Sequence, residues 1–386
     1  MKKRSLAILS EVFFTERDCQ RFGLNILSKY FDFYLIEFSY PILKNHSINK
    51  TNNKEKIYNV VSIENYNDFY DFISNNPLSF YLDKMNSSFL SFRIRLLLKK
   101  RNTIRIKENL GLLPWVSYKI NLFEKIITLN KRGNLPSKIL KAILNKFFSL
   151  FEPRVDIFLY SASMSKSTQS YKVTEIWTHS FNYQNYLEFE NDDELENIGS
   201  FALFIDQYAP SHPDYETHNN KPPVTEKNYY KSMNSFFDFF EKKTELDIII
   251  AGHPRRNQKT KNDWNGRRQI IGKTHELIRK STIVLSHYST ALSFAVIYRK
   301  PILLVTTNEY FNSYRKYQFL AFSEALKTDI INVDKYDENE ITNNIYDIDE
   351  ETMKDYEEKY IRSRYSSSND IWNHFSKKLL KVKLNE

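Results

Sequence analysis

Short unbroken apolar runs alternate along this chain with longer stretches in which apolar positions return at helical spacing. Runs of the first kind mark strands buried on both faces, and stretches of the second kind mark amphipathic helices. The pattern is densest over residues 247–305. Asp247-Ile248-Ile249-Ile250-Ala251-Gly252 reads as a buried strand. A polar excursion with Asp263, Trp264, Arg267 and Arg268 follows, then a helix over 273–278 capped by Thr274. Residues 282–286 form a second strand, 291–297 a helix and 300–305 a third strand. Strand, helix, strand, helix, strand predicts a parallel sheet with crossover helices.

The first half repeats the theme. Strands are expected over 5–14, 33–39, 57–63 and 79–82, with helices over 16–30 and 67–74, in the manner of a Rossmann-type sheet. Residues 88–115 interleave Phe89, Phe92, Ile94 and Leu96 with Arg93, Arg95, Lys99, Lys100, Arg101, Arg105 and Lys107. That reads as one basic, aromatic-bearing helix, suited to an anionic membrane surface, to cradling an anionic acceptor or to a solvated face. A second helical run over 136–151 carries Lys138, Lys141 and Lys146. Strands follow over 155–160 and 175–180, the latter with His179 near its end. An acidic segment over 186–198 marks the domain boundary. Beyond it come a strand over 200–206, a helix over 228–243, a helix over 313–327 and a strand over 330–333. Three regions result: 1–195, 196–349 and C-terminal helices over 350–386.

Composition narrows the partners. A chain of 386 residues accommodates two domains, and a net charge of +9 suits an anionic partner or a lysine-rich solvated surface. Cys19 is the only cysteine, which excludes an intramolecular disulfide and a cysteine-based zinc site. No apolar stretch is long enough for a transmembrane helix, and the N-terminal run is interrupted by Glu11. A cytoplasmic location is expected, with peripheral contact at the inner face of the cell membrane as an extension of it.

With seven glycines there is no glycine-rich phosphate loop. Phosphate recognition would fall to helix N-termini and hydroxyls, and Ser289-Thr290, opening a helix after a buried strand, meets that need. Simple N-capping is the competing reading. His253-Pro254, at a strand end, places an imidazole where it can hydrogen-bond a phosphate or act as an acid. Arg255 and Arg256 beside it suit the same anion. Glu276 can accept from ribose hydroxyls or merely complement the helix dipole. Asp206 and Glu11, each just past the first strand of its half, are the general-base candidates.

Taken together, the order His-Pro, helix with Glu276, Ser-Thr turn and Lys300-Pro301 before a strand resembles the C-terminal half of GT-B glycosyltransferases. It is most similar to bacterial sialyltransferases and related capsule and lipopolysaccharide transferases. In those families the His of His-Pro contacts nucleotide phosphate or assists the leaving group, a Ser-Ser or Ser-Thr pair holds phosphate, and an acidic residue is the base. Here His253-Pro254, Ser289-Thr290 and Asp206 occupy those places. The resemblance covers about residues 200–305. It departs in having Thr290 for a second serine and no Asp-Asp-Gly-like motif.

The resemblance implies an α/β fold of two Rossmann-like domains facing a cleft, with 1–195 the acceptor-side domain, 196–349 the nucleotide-sugar-binding domain and the 350–386 helices crossing back to the first domain. It implies an inverting, metal-independent transferase with no cofactor beyond its nucleotide-sugar donor. The expected donor is a CMP-linked nonulosonate such as sialic acid, and the acceptor a surface glycan or glycolipid. A UDP-sugar or polyol-phosphate transferase is the alternative on the same fold. A nucleic-acid-binding protein is the alternative from another class; no nucleic-acid motif is present, so that partner is not expected.

Overall fold

Strands that read as unbroken apolar runs assemble into two parallel sheets. The computed structural model describes residues 3–38, 59–115, 135–167, 169–189, 195, 198–217, 220–256, 263–337 and 343–383. The first sheet comprises β1 (Ser5–Ser10), β2 (Asp32–Phe38), β3 (Asn59–Ile63), β4 (Phe80–Lys84), β5 (Ile104–Asn109), β6 (Ile157–Tyr160) and β7 (Thr174–Trp177). Their order is β3-β2-β1-β4-β5-β6-β7. The second comprises β8 (Phe201–Ile205), β9 (Asp247–Gly252), β10 (Gln269–Ile271), β11 (Ile283–Ser286), β12 (Ile302–Thr306) and β13 (Ile330–Asn332), in the order β10-β9-β8-β11-β12-β13. Every pairing in both sheets is parallel.

Each order reverses once, between β1 and β4 and between β8 and β11. Open parallel sheets bind ligands outside the carboxyl ends of their strands at such a point. Both faces of the second sheet are covered, which is why β8 reads FALFI with no polar position. Phe204, Ile250 and Leu285 pack with Phe237 and Phe240 of the helix Glu226–Thr244. On the other face Leu203, Ile249 and Val284 pack with Leu277, Leu292 and Phe322.

The chain divides into two compact units. One contains Met1–Leu110, Ile139–Phe181 and Arg362–Glu386; the other contains Gly111–Lys138 and Asn182–Ile361. The acidic residues Glu190, Asp192, Asp193, Glu194 and Glu196, at which the sequence places the boundary, lie outside the described residues. Position 39 of the second expected strand and positions 57 and 58 of the third lie outside them too. In the first unit the helix expected over 16–30 is two helices, Glu16–Arg21 and Leu24–Tyr30. Gly23 separates them at φ +55°, and a Cβ there would lie 2.2 Å from Cδ1 of Trp372. Only glycine admits that approach, which seats the helix Ile371–Leu379 against the aromatic cluster of Phe22 and Phe181.

Residues 88–115 correct the expectation of a single basic helix. A helix spans Phe89–Lys100, but β5 begins at Ile104 and is central in the sheet. Arg95 is fully buried. Its Nε donates to Oδ2 of Asp83 at 2.8 Å and its Nη2 to the Met85 carbonyl at 2.7 Å. Arg105 Nε donates to the same Asp83 oxygen at 2.8 Å, and its Nη2 to Glu152 at 2.9 Å. Burial pushes the Asp83 carboxyl up, but the hydrogen bond and charge of Arg95 and the charge of Arg105 outweigh it and hold it below the usual range. Arg95 and Arg105 are therefore internal struts, and of the quartet Arg93, Arg95, Lys99 and Lys100 only Arg95 is withheld from solvent.

The exposed apolar face lies instead on the helix Leu135–Phe151, where Leu140, Ile143, Leu144, Phe147, Leu150 and Phe151 are 46% to 72% exposed. Their spacing places them on one stripe. No helix among the described residues is long and apolar enough to cross a membrane.

Breaking one partner of a buried ion network leaves an uncompensated charge, so Arg95→Ala is expected to lower unfolding free energy by about 3–5 kcal/mol. Arg93, exposed and resting on the Tyr66 ring at 3.8 Å, is expected to cost under about 1 kcal/mol on the same substitution. Urea titrations of the two variants check the contrast; equal losses would contradict it.

Candidate functional site

β8 and β9 end side by side: the Asp206 amide, one residue past β8, donates to the Ala251 carbonyl at 3.0 Å. The Asp206 side chain then turns inward. Its Oδ2 accepts from Arg256 Nη1 at 2.7 Å and its Oδ1 from the Tyr208 amide at 2.7 Å, with no exposure to solvent. Arg256 also binds Asp263 and lies against the rings of Tyr208, Tyr230 and Trp264. Burial pushes the Asp206 carboxyl up, against the pull of Arg256. A sealed carboxylate with both oxygens engaged is badly placed to take a proton from an incoming hydroxyl. Asp206 serves as a tether between the loops that leave β8 and β9.

Those loops carry the exposed chemistry. His253 follows β9 directly and is half-buried; Pro254 and Arg255 are exposed. His253 Nε2 lies 3.2 Å from Nε2 of His212, on the loop after β8. His212 passed unremarked in the sequence, although His212-Pro213 repeats the His253-Pro254 dipeptide. That repetition was the available signal; the meeting of the two rings was not. Arg255 Nη1 binds Asp214 Oδ1 at 2.6 Å, bracing one loop against the other.

β11 ends beside β8, with Ser286 paired to Ile205. His287 follows and is wholly buried. Its Nδ1 donates to the Val305 carbonyl at 2.6 Å, and its Nε2 accepts from the Tyr229 hydroxyl at 2.7 Å. The turn at Ser289 and Thr290 comes next. The helix expected to open there begins only at Leu292 and runs to Ile297, and its N-cap, Ala291, offers no side-chain bond. Ser289 Oγ accepts from the Ala291 amide at 3.2 Å, while the exposed Thr290 accepts at its carbonyl from Asn182 at 2.8 Å. Both hydroxyls therefore stand at the carboxyl edge of β11 on a turn rather than on a helix cap.

Glu276 sits in the first turn of the helix Thr274–Lys280, after β10. Lys273, not Thr274, holds the cap position, and no side chain caps this helix. Glu276 is buried; its Oε1 is 3.3 Å from Lys280 Nζ and accepts no hydrogen bond among the described residues. Glu11 belongs to the first unit and follows β1. Its Oε2 accepts from Asn86 Nδ2 at 2.8 Å, so the contact spans the carboxyl ends of β1 and β4, where that sheet reverses. Its Oε1 has no hydrogen-bond partner among the described residues.

No family model matches the chain, and no curated protein matches it in sequence. Solved structures match it in fold. MurG from Acinetobacter baumannii superposes with a TM-score of 0.52 at 6% identity, over 98% of this chain and 100% of that one. A UDP-glucosyltransferase from Polygonum tinctorium gives 0.52 at 8% identity, over 99% of each chain. MnaA from Staphylococcus aureus, in a structure with UDP, gives 0.50 at 12% identity, over 99% of this chain and 98% of that one. The fold is thus that of GT-B proteins, two Rossmann-like units each built on a parallel sheet. These matches lend no support to the narrower likeness to sialyltransferases.

Burial holds the His287 pKa down to about 4, against the Val305 bond that favours the proton. In the unfolded chain an imidazole titrates near about 6.5. Between those values only the unfolded chain binds the proton. Stability is therefore full above about pH 6.5 and falls as pH drops toward about 4, by about 3 kcal/mol for this residue. His275, also held to about 4 by burial, acts in the same direction. Urea titrations at a series of pH values should show this slope and a shallower one in His287→Gln. Equal slopes would remove His287 as the cause.

Proposed function

We propose that this protein transfers a sugar from a nucleotide-sugar donor, bound at the carboxyl edge of β8, β9 and β11 in the second unit. The observation that carries the reading is the meeting of His253, His212 and Arg255 at that edge, next to the point where the strand order reverses. Imidazole N–H groups and a guanidinium suit a departing phosphate, whose developing charge they would stabilise. Glu276, whose Oε1 accepts no hydrogen bond among the described residues and faces Lys280 at 3.3 Å, is assigned to the ribose hydroxyls, and Ser289 and Thr290 to the phosphates. Glu11 is assigned as the base that takes the acceptor's proton, since its Oε1 has no hydrogen-bond partner among the described residues, whereas both oxygens of Asp206 are engaged. Attack by that hydroxyl on the anomeric carbon, with loss of the nucleotide, gives inversion. The cationic and N–H groups supply the charge stabilisation, so the reading needs no metal.

UDP is the favoured nucleotide, because fold neighbours include a UDP-glucosyltransferase and a protein solved with UDP. A CMP-linked nonulosonate is the alternative donor. A thermal-shift series with UDP, CMP, CDP, GDP and ADP decides between them: nucleotide at about 100 times its Kd adds about 2.7 kcal/mol to stability. UDP is expected to raise Tm, with or without EDTA, and Glu276→Gln to shrink the rise. Glu11→Gln should leave the UDP shift intact while cutting turnover at least about 100-fold. A shift with CMP alone would move the donor to the nonulosonate, and no shift with any nucleotide would contradict the transferase reading.

The acceptor is proposed to be a glycan or glycolipid of a surface-polysaccharide pathway, met at an anionic bilayer by the first unit. The exposed stripe on Leu135–Phe151 and the exposed Lys146, Arg93, Lys99 and Lys100 support this. Replacing Leu140, Phe147 and Leu150 together by Asp is expected to weaken sedimentation with phosphatidylglycerol vesicles at least about tenfold. Unchanged sedimentation would return the stripe to another role.

A further inference from the structure

The tripeptide His-Pro-X occurs twice at this edge, as His212-Pro213-Asp214 and His253-Pro254-Arg255. The two copies are built alike. In each, proline offers no N–H, so the next amide is the first donor that can reach back. The Asp214 amide donates to Nδ1 of His212 at 3.1 Å, and the Arg255 amide to Nδ1 of His253 at 3.2 Å. The side chains of those same two X residues form the ion pair between the loops. Each turn presents its imidazole to the other, with ring centroids 4.6 Å apart.

That construction determines where the protons are. A neutral imidazole carries one N–H and one acceptor nitrogen. With both Nδ1 atoms accepting, both protons reside on Nε2. The two Nε2 atoms nonetheless lie 3.2 Å apart, so donor faces donor. Such a contact is repulsive as it stands. It becomes favourable when one oxygen carrying lone pairs settles against both N–H groups, and an oxygen about 2.9 Å from each nitrogen fits that spacing. The surroundings select the charge of that oxygen. Burial first, and then the nearby Arg255 and Arg315, hold the His212 pKa below its ordinary value against the pull of Asp214. Asp214 lies 3.7 Å from Nδ1 of His212 and is paired with Arg255, so the charge left over beside a His212 that is neutral near pH 7 is the guanidinium of Arg315, a balance that favours an anion over a bound cation.

We propose that His212 and His253 act together as a two-pronged donor for one non-bridging phosphate oxygen of the nucleotide, with His212 an additional binding residue. The proposal rests on the nucleotide-dependent reading above. It deepens that reading by naming a residue, a tautomer and the atom gripped.

Isothermal titration of UDP and of uridine against the wild type, His212→Gln, His253→Gln and the double variant tests it. Each single variant is expected to weaken UDP at least about tenfold, as befits a hydrogen bond to a charged group. Uridine, which lacks the phosphate, should bind all four proteins alike. The double variant should lose less than the product of the two single losses, because one oxygen serves both rings. Melting curves confirm that the variants fold, and long-range nitrogen–proton NMR of the wild type should show both rings protonated at Nε2. Wild-type affinity for UDP in His212→Gln would overturn the inference while leaving the transferase reading intact. No binding of UDP or of CMP by the wild type would overturn both. Loss of the His212 effect in EDTA, with stoichiometric zinc bound by the wild type alone, would replace the anion by a metal and overturn the inference.

Discussion

The guanidinium of Arg256, closed in between Asp206 and Asp263, is the constraint on which the second unit's functional edge depends. It joins the loop after β8, the turn after β9 and the segment leading to β10. The Arg256 amide also donates to the His253 carbonyl at 2.9 Å, so the residue that anchors the pair shapes the His-Pro turn as well. Tyr208, Tyr230 and Trp264 surround the cation and keep water out. Removing two charges from water is expensive, and such a pair adds little net stability. Its effect is on geometry: any other arrangement of the two loops leaves a buried charge unpaired. The imidazoles of His212 and His253 meet at 3.2 Å on loops that this pair ties together.

Much of this was legible in the chain. The runs at β8, β9, β11 and β12 are apolar because both faces of a parallel sheet are covered, and that pattern needs no knowledge of partners. The polar residues immediately after those runs mark the ligand-binding edge for the same reason. Other elements were hidden by their own chemistry. β5 reads as part of a basic helix because Arg105 and Lys107 alternate with its apolar residues, and only the buried Asp83 and Glu152 explain how the Arg105 cation is accommodated. β10 has three residues and too little pattern to stand out. Asp206 looked like a free base because its captor, Arg256, lies fifty residues on. His212 has a sequence signature, the repeated His-Pro, but its significance exists only in three dimensions.

The GT-B fold accommodates many chemistries, so the function must come from the side chains placed on it. Here the two sheets offer matching positions past their first strands and use them differently. In the second unit Asp206 is consumed by an internal ion pair. In the first, Glu11 at the corresponding place has one oxygen with no hydrogen-bond partner among the described residues. The same topology thus yields a tether on one sheet and a candidate base on the other, and the difference is the presence of an arginine. The donor edge is likewise distinguished by what it lacks. It has no glycine-rich loop, and the groups proposed to meet phosphate there are imidazoles, hydroxyls and Arg255, which a fold-level comparison does not see.

Hydrogen exchange of the whole protein with and without saturating UDP tests the central claim most directly, because it locates a ligand without relying on any substitution. The account predicts slowed exchange in the loops over 206–215 and 252–256, in the first turn of the helix at 273–278 and in the turn at 286–291. Unchanged exchange across all four segments, or protection confined to the first unit, would contradict it.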